Sequence, residues 1–323
     1  MKRLLPALTG LLFLAGLAGV AFTGLAIYTP NNIGETTLFY IAPGTPTAAI
    51  GRQLQEQHLI AEPFFFKIAA YAARSAGPLK AGEYEIPPGS HIANIVALFQ
   101  SGKTYQRKIT FAEGLTSVEI VEALNQAEKM SGTVADIPPD GTLLPETYSY
   151  SYDDSRADVI ERMQDSMGNA LQSLWNARPA DTILKSPEEA VILASIVEKE
   201  TGIASERPRV AGVFINRLKM GMPLQSDPTV IYAVTMGKQK LDRPISRKDL
   251  NTDSPYNTYT HPGLPPGPIA NPGRASLEAV LHPEAHGYLY FVADGTGGHT
   301  FSTSLDEHTK NVAKWRAIEK QSK

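Results

Sequence analysis

The sequence contains no cysteine. This absence excludes disulfide bonds, thiolate zinc sites, a cysteine nucleophile and a lipidated N-terminal cysteine. The chain also has no excess of basic residues, since 30 Lys and Arg stand against 33 Asp and Glu. Nucleic-acid binding usually leaves a basic footprint, so no nucleic-acid partner is expected. The remaining composition is that of an ordinary folded protein, and 323 residues suffice for two domains with hydrophobic cores.

Charged residues are also missing from the N-terminal run between Leu4 and Tyr28. At about 1.5 Å per residue, a helix of this length crosses a hydrocarbon core of about 30 Å. The run is longer than the ~7–15 apolar residues of a secretory signal, and no clean cleavage motif follows it. We therefore predict a single-pass membrane anchor within residues 1–30, with a cleaved signal peptide as the alternative.

The basic residues around this run predict its orientation. Lys2 and Arg3 precede it, and the next basic residue along the chain is Arg52. Positively charged flanks tend to stay on the cytoplasmic side of a membrane. We therefore expect Met1 in the cytoplasm, the anchor in the inner membrane, and the body after about Pro30 in the periplasm.

Three stretches after the anchor share a turn glycine, a nearby Ser or Thr, and an Ile and a Leu at helical spacing. They run from Gly44 to Leu54, from Gly89 to Leu98 and from Gly114 to Leu124. Each is typical of a strand end, a Gly turn, a Ser/Thr N-cap and a short helix. The pattern predicts a small α+β module over residues 36–130. The alternative is that three common helix starts share no origin.

A second domain is expected beyond a Pro- and Gly-containing junction at 131–148. Apolar spacing predicts helices over 156–177, from about 186, from about 205 and over 305–320. Residues 288–293 read as a strand leading into a Gly-rich turn. The segment 255–273 carries six prolines and three glycines, which excludes regular structure but favours a stiff wall. These signals predict a larger mixed α+β domain over 145–323, so the fold class is α+β.

The helix that starts near residue 186 has strong end signals. Ser186 is suited to the N-cap, Pro187 to the first helical position, and Glu189 to completing a capping box. Gly202 is a natural stop. The sequence therefore predicts a helix of about 14 residues between these signals.

A helical wheel separates the two neighbouring glutamates of this helix. With Leu193 at zero and about 100° per residue, Glu200 falls near −20°, between Ile196 and Val197. The opposite, polar side holds Ser195, Glu198 and Lys199. Glu198 is therefore expected in solvent and Glu200 within the apolar stripe.

A carboxyl group at the end of an apolar face loses hydration, which raises its pKa. A glutamic acid that stays protonated near neutral pH can protonate a leaving oxygen. The alternative is that Glu200 is structural, bound to a buried Arg or to backbone N–H groups. The wheel alone leaves both interpretations open.

Six motifs follow one another along the second half of the chain in an order that is specific to one family. The motifs are Ile192-Leu-Ala-Ser-Ile-Val-Glu-Lys-Glu-Thr201, Val213-Phe-Ile-Asn-Arg-Leu218, Gln225-Ser-Asp-Pro-Thr-Val-Ile-Tyr232, Tyr256-Asn-Thr-Tyr259, Gly263-Leu-Pro-Pro-Gly-Pro-Ile269 and Gly298-His-Thr-Phe301. Together they closely resemble the endolytic murein transglycosylase (MltG, or YceG-like) family. An N-terminal anchor followed by a module described as LysM-like also matches the layout of that family.

The resemblance implies a lytic transglycosylase, a lyase that cuts peptidoglycan glycan strands internally without water. The cut leaves a 1,6-anhydro-N-acetylmuramoyl end. The second Glu of the Glu-Lys-Glu-Thr motif, here Glu200, is the catalytic residue that the resemblance implies. It further implies a catalytic domain at 145–323 and a role in ending nascent strands beside peptidoglycan synthases.

A single carboxyl group is sufficient for such a reaction. Ordinary glycosidases need two carboxyl groups. In the hypothesis favoured here, Glu200 protonates the glycosidic oxygen and then accepts the proton of the 6-hydroxyl that closes onto C1. Two alternatives remain: a hydrolytic muramidase that uses Glu200 with Asp227, and a peptidoglycan-binding scaffold without enzymatic activity.

Further polar and aromatic groups in the motifs are suited to sugar hydroxyls and ring faces. These candidate substrate-binding residues are Asn216, Gln225, Asp227, Tyr256, Asn257, Tyr259 and His299. Each of them has a loop hydrogen bond or core packing as its alternative role. No cofactor is expected. No metal site is expected either, because Pro283 breaks the only zinc-like spacing, that of His282 and His286.

Overall fold

The computed structural model describes residues 4–321, so Met1, Lys2 and Arg3, on which the predicted orientation rests, lie outside the described residues. The chain forms two compact units. The first contains residues up to 107 together with 149–154, and the second contains 108–148 together with the residues from 155 onward. The sequence placed 108–130 in the membrane-proximal module, whereas these residues pack within the second unit. The predicted module over 36–130 stays a prediction.

The first unit opens with α1 (Leu4–Tyr28), which matches the predicted apolar run. Its stretch Thr9–Tyr28 is long and apolar enough to cross a membrane, and no other described helix meets both criteria. The end of α1 packs against the rest of the unit, because Ile27 belongs to the same buried cluster as Phe39 and Phe66.

The rest of the first unit folds in the order β-α-α-β-α. Its elements are β1 (Thr37–Ile41), α2 (Thr47–Glu56), α3 (Pro63–Ala72), β2 (Gly82–Ile86) and α4 (Ile92–Ser101). The two strands are antiparallel, with Thr37 opposite Ile86 and Ile41 opposite Gly82. Alternating strand residues and one face of each helix form a single apolar core.

The three turn glycines predicted from the repeat all adopt positive φ, and each is followed by a helix. The predicted Ser/Thr caps are wrong in two of the three. The N-cap of α2 is Pro46, and the N-cap of α4 is His91, whose side chain accepts from the backbone N–H of Asn94. Only Thr116 forms the predicted kind of cap, in a full capping box. A side-chain cap requires the Ser or Thr to stand directly at the start of the helix. A Gly-Ser/Thr pattern does not determine that start to within one residue.

The second unit is predominantly helical. After β3 (Arg107–Thr110), which begins at the last residue of the first unit, the elements are α5 (Ser117–Gln126), β4 (Thr147–Tyr150), α6 (Arg156–Asn176), α7 (Pro187–Glu200), α8 (Arg207–Lys219), α9 (Asp227–Thr235), α10 (Arg247–Leu250), α11 (Arg274–Leu281), β5 (Tyr290–Ala293), β6 (His299–Ser302) and α12 (Leu305–Gln321). In the described residues β3 pairs with β4, and β5 forms an antiparallel hairpin with β6. The mixed α+β class is confirmed, and the segment 255–273 contains neither helix nor strand, as predicted.

Helix α7 lies at the centre of the second unit. It contacts α6, α8, α9 and α11, and its residues from Ala190 to Val197 are all buried. The predicted third repeat also belongs here, because Ile120 and Leu124 of α5 pack with Val159 of α6. Their burial explains why α5 lies with the second unit.

Candidate active site

Helix α7 carries Glu200 as its last residue. Ser186 accepts a hydrogen bond from the N–H of Glu189 at 3.3 Å, as predicted for the N-cap. The predicted capping box is wrong in its second half, because the Glu189 carboxylate accepts from the N–H of Lys185 at 2.7 Å instead. The helix ends at Glu200, where Thr201 turns to extended backbone.

The predicted solvation of Glu198 is wrong. Its side chain is only 4% exposed, pairs with Arg207 at 3.2 Å and accepts from the N–H of Gly273 at 2.9 Å. Ser195, also assigned to the polar side, is fully buried and accepts from the N–H of Ile269. The wheel missed this because it reveals only the apolar face, whereas neighbouring segments cover the polar face as well.

Glu200 lies in a protein environment that favours its neutral form. Its carboxyl oxygen Oε1 accepts a hydrogen bond of 2.5 Å from the hydroxyl of Ser226. Desolvation by burial raises the pKa of Glu200 to about 7 against the lowering effect of that hydrogen bond. This value also includes the negative charge of Asp227, which raises the pKa, and the effects of His299 and Arg217, which lower it. A carboxyl group with such a pKa can act as an acid and then as a base near neutral pH.

Ser226 was not among the candidate residues from the sequence. It stands at the N-cap of α9, where a serine normally bonds the first turn, yet its side chain makes no cap bond. Its backbone N–H is held by the hydroxyl of Thr258 at 3.0 Å, and the residue is buried. The serine hydroxyl is therefore directed at Glu200 instead of the start of α9.

Glu200 opens onto a cavity of about 390 Å³. The cavity is lined by Glu200, Phe214, Arg217, Leu224, Gln225, Asp227, Tyr259, Tyr290, Phe291, Leu305 and His308. Four of the residues selected from the sequence are thus brought together: Glu200, Gln225, Asp227 and Tyr259. The combination of aromatic faces with a few polar groups suits a sugar chain.

Asp227 and Tyr259 form a pair at the wall of this cavity. The Tyr259 hydroxyl donates to Asp227 Oδ1 at 2.6 Å. Burial, and then this contact with Asp227, raise the pKa of Tyr259. The tyrosine therefore stays protonated, and its proton occupies one oxygen of the carboxylate.

Gln225 lines the cavity with an unusual backbone. Its φ is +51°, a left-handed conformation that costs a non-glycine residue about 1 kcal/mol or more. Its N–H donates to the carbonyl of Thr258, and its side-chain oxygen lies 3.5 Å from the guanidinium of Arg217. Strain of this kind often occurs at functional sites.

Arg217 is a second residue that the sequence interpretation missed. It is only 7% exposed, and its guanidinium donates to the carbonyl oxygens of Leu289 and Leu224, each at 2.7 Å. Burial lowers the pKa of Arg217, which nevertheless remains positively charged. A signal was present, because Arg217 stands one helical turn after Val213 on the buried face of α8.

Two amides selected from the sequence do not line the cavity. Asn216 donates to the carbonyl oxygens of His286 and Tyr288 at 2.8 and 3.1 Å. Asn257 is fully buried, and its amide donates to the carbonyl oxygens of Leu250, at the end of α10, and Thr252. In the structure both amides connect backbone segments.

Tyr256 and His299 also lie outside the cavity lining. The ring of Tyr256 packs against Tyr232 with 4.8 Å between centroids. His299 Nδ1 lies 2.8 Å from Glu206 Oε2, and the backbone N–H of His299 donates to Oε1 of the same carboxylate. His299 is still close enough to Glu200 to lower the pKa of that residue. Within residues 4–321 no group of three or more His, Asp or Glu side chains is arranged to hold a metal ion.

Comparison with known proteins supplies a family. The model of the YceG-like family matches residues 39–314. The endolytic murein transglycosylase of Bacillus subtilis strain 168 is 33% identical, over 93% of this chain and 91% of that protein. That of Streptococcus pneumoniae strain D39 is 27% identical over 94% of this chain, which spans 64% of that longer relative. A crystal structure of a yceG-like protein from Listeria monocytogenes is 31% identical, covers 85% of this chain and 99% of its own, and superposes with a TM-score of 0.52.

Proposed function

Because this chain belongs to the YceG-like family, we propose that it is an endolytic murein transglycosylase with Glu200 as its acid and base. The reaction breaks the MurNAc–GlcNAc glycosidic bond within peptidoglycan strands and leaves 1,6-anhydroMurNAc ends. The observation that carries the assignment of the residue is the Glu200 carboxyl group, which lines a sugar-sized cavity and whose pKa is raised by burial to about 7.

The proposed steps need one carboxyl group. Glu200 gives its proton to the glycosidic oxygen as the bond from that oxygen to C1 of MurNAc breaks. The 6-hydroxyl oxygen of the same sugar then bonds to C1, and its proton returns to Glu200. A pKa of about 7 suits both transfers, and the hydroxyl of Ser226 orients the carboxyl group between them.

A hydrolytic muramidase is the second candidate. Asp227 lines the same cavity as Glu200, as a two-carboxylate glycosidase requires. The hydrogen bond from the Tyr259 hydroxyl to Asp227 Oδ1 opposes this interpretation, because it stabilises the carboxylate and so weakens it as a base or nucleophile.

We extend the proposal to location and partners. Helix α1 anchors the chain in the inner membrane, Lys2 and Arg3 keep its start in the cytoplasm, and the body lies in the periplasm. The module after the anchor is LysM-like, in keeping with its β-α-α-β order. The enzyme ends nascent strands beside peptidoglycan synthases.

Mass spectrometry of the products from purified glycan strands tests the reaction and the residue together. Wild type, Glu200→Gln and Glu188→Gln are compared, the last being an exposed glutamate on the same helix. We expect anhydro-ended fragments from wild type and from Glu188→Gln, and none from Glu200→Gln. Reducing ends from wild type would identify a muramidase, and equal cleavage by all three proteins would remove Glu200 from the reaction. No cleavage by any of them would favour a binding scaffold.

A further inference from the structure

Helix α3 exposes large apolar side chains in an unusual arrangement. Phe64 and Tyr71 are 63% and 68% exposed, and Ile68 lies between them on the same face. The opposite face, with Phe66 and Ala69, is buried in the core of the first unit. The outward stripe therefore combines Ile68, which is half-buried and packs against that core, with Phe64 and Tyr71, which are exposed.

This stripe, consisting of Phe64, Ile68 and Tyr71, lies beside the candidate membrane anchor. Phe65 of α3 meets Phe22 of α1 edge to face, with 5.9 Å between ring centroids. The two helices are thus in direct contact within one compact unit.

The position of this contact along α1 places α3 at the level of the lipid surface. A hydrocarbon core of about 30 Å takes up about 20 residues of helix. The candidate span ends at Tyr28, six residues or about 9 Å of helix beyond Phe22. Because an interfacial helix buries its apolar face about 5–10 Å deep, the contact with Phe65 lies at the depth of the boundary between acyl chains and headgroups. This depth is the same whichever way α1 is oriented, because it is measured in the leaflet from which the folded unit emerges.

The charges around the stripe suit an anionic lipid surface. Residues 63–82 include three basic side chains and no carboxylate, although Glu62 immediately precedes them. Lys67 stands one turn after Phe64, and the Arg74 guanidinium lies over the Tyr71 ring at 3.9 Å. Aromatic rings flanked by Lys or Arg are typical of helices that lie in the membrane interface.

We propose that α3 is a second membrane contact, in which Phe64, Ile68 and Tyr71 enter the interfacial zone and Lys67 and Arg74 bind anionic phospholipid headgroups. The inference rests on the membrane anchor of the proposed function. Its consequence is that the first unit is held against the bilayer by two elements instead of one. A glycan strand is the alternative ligand for this face of α3, because the same residues line one side of a cavity of about 830 Å³.

The absence of cysteine makes a direct test possible in the full chain. Single variants Phe64→Cys, Lys103→Cys and Leu14→Cys carry an environment-sensitive fluorophore in vesicles that contain phosphatidylglycerol and brominated lipid. Leu14 reports on the anchor. Lys103 is exposed and follows the end of α4 that lies away from α1, because Ile92 at the start of α4 lines a cavity with Phe22. We expect quenching at positions 14 and 64 and none at position 103.

Three other outcomes overturn the inference, each in a distinguishable way. Quenching at position 14 with none at 64 would remove the α3 contact and leave the anchor intact. No quenching at any position would remove the anchor and this inference with it, while glycan cleavage by the same samples reports separately on the reaction. A fluorescence change at position 64 on adding glycan strands, without lipid quenching, would assign the face to glycan. Loss of quenching at 64 in Lys67→Glu/Arg74→Glu, with position 14 unchanged, would support the headgroup contacts.

Discussion

At the scale of single residues, the pKa of Glu200 is set by opposing effects. Burial and the charge of Asp227 favour the neutral acid, whereas the Ser226 hydroxyl and the positive charge of Arg217 favour the carboxylate. The Ser226 bond is the largest of the effects that lower the pKa. Ser226 is therefore the residue through which the pH range of cleavage is most directly changed.

We predict that Ser226→Ala moves cleavage to higher pH. Glu200 must be protonated to begin the reaction, and its protonated fraction falls as pH rises through about 7. Removing a hydrogen bond that stabilises the carboxylate raises this pKa, so the alkaline midpoint of activity should rise by about one pH unit. The measurement is the initial rate of glycan cleavage between pH 5 and 9, a range that extends to both sides of the pKa of Glu200.

Ser226→Thr is the matched control, because it keeps a hydroxyl group that can bond Glu200. Its alkaline midpoint should stay with the wild type. An unchanged midpoint in Ser226→Ala would show that the 2.5 Å contact does not govern the titration of Glu200.

Glu200 could be predicted from the sequence because a helical wheel depends only on the residues of the helix itself. The apolar neighbours of Glu200 on that wheel imply the desolvation of its carboxyl group. Ser226 was missed although it stands within a quoted motif, since its contact joins residues 26 positions apart. Asn216 and Asn257 were selected because polar residues in motifs suit ligands, yet their amides satisfy buried backbone carbonyls. Sequence reveals the type of group, whereas tertiary packing decides which partner it meets.

At the scale of elements, α7 carries two glutamates in contrasting settings. Glu188 is exposed in the first turn, and Glu198 is buried with Arg207 as its partner. Arg207 also pairs with Glu113 at 3.0 Å. The helix is thus connected to α8 and to the segment before α5 through one guanidinium group.

We predict that Glu198→Ala lowers the free energy of unfolding by about 2–4 kcal/mol, because it leaves a largely buried Arg207 with half its ion pairs. Glu188→Ala should change that free energy by less than about 0.5 kcal/mol. Urea denaturation of both variants in detergent checks the difference. Equal midpoints would contradict a stabilising role for the buried network.

Element bounds were predicted well where apolar spacing was regular, as in α6, and where it agreed with end signals, as in α7. The helix wheel failed for the polar side of α7, because a helix at the centre of a domain is covered by neighbours on every side. Glu198 and Ser195 are compatible with this burial only through partners that lie far away in sequence. Such partners leave no periodic signal.

At the scale of the whole molecule, the helix proposed as the membrane anchor, α1, is also part of the fold. Ile27 near the end of α1 is 9% exposed and packs in the core of the first unit. We therefore expect the removal of α1 to have two separable effects, on membrane attachment and on the stability of that unit.

We predict that deleting residues 1–30 releases the protein from membranes, because an interfacial contact such as the one proposed for α3 is weak and reversible without a spanning helix. The deletion should retain cleavage of purified glycan strands. The loss of Ile27 should also destabilise the first unit by about 1–3 kcal/mol. Membrane flotation, cleavage and thermal unfolding measure the three effects. The control Leu11→Lys/Leu14→Lys keeps Ile27, so it should detach the protein at a smaller cost in stability. If both variants stayed on the membrane, anchoring by α1 would be contradicted.

The burial of α7 from Ala190 to Val197 has a consequence for the timescale on which Glu200 is positioned. Amide hydrogens in a segment without solvent-facing residues exchange only when much of the surrounding structure opens. These amides should therefore be among the slowest to exchange in the second unit. The proposed acid is attached to the end of that segment, so its backbone keeps one position over many turnovers. Motion during the reaction is then left to the substrate and to the loops around the cavity.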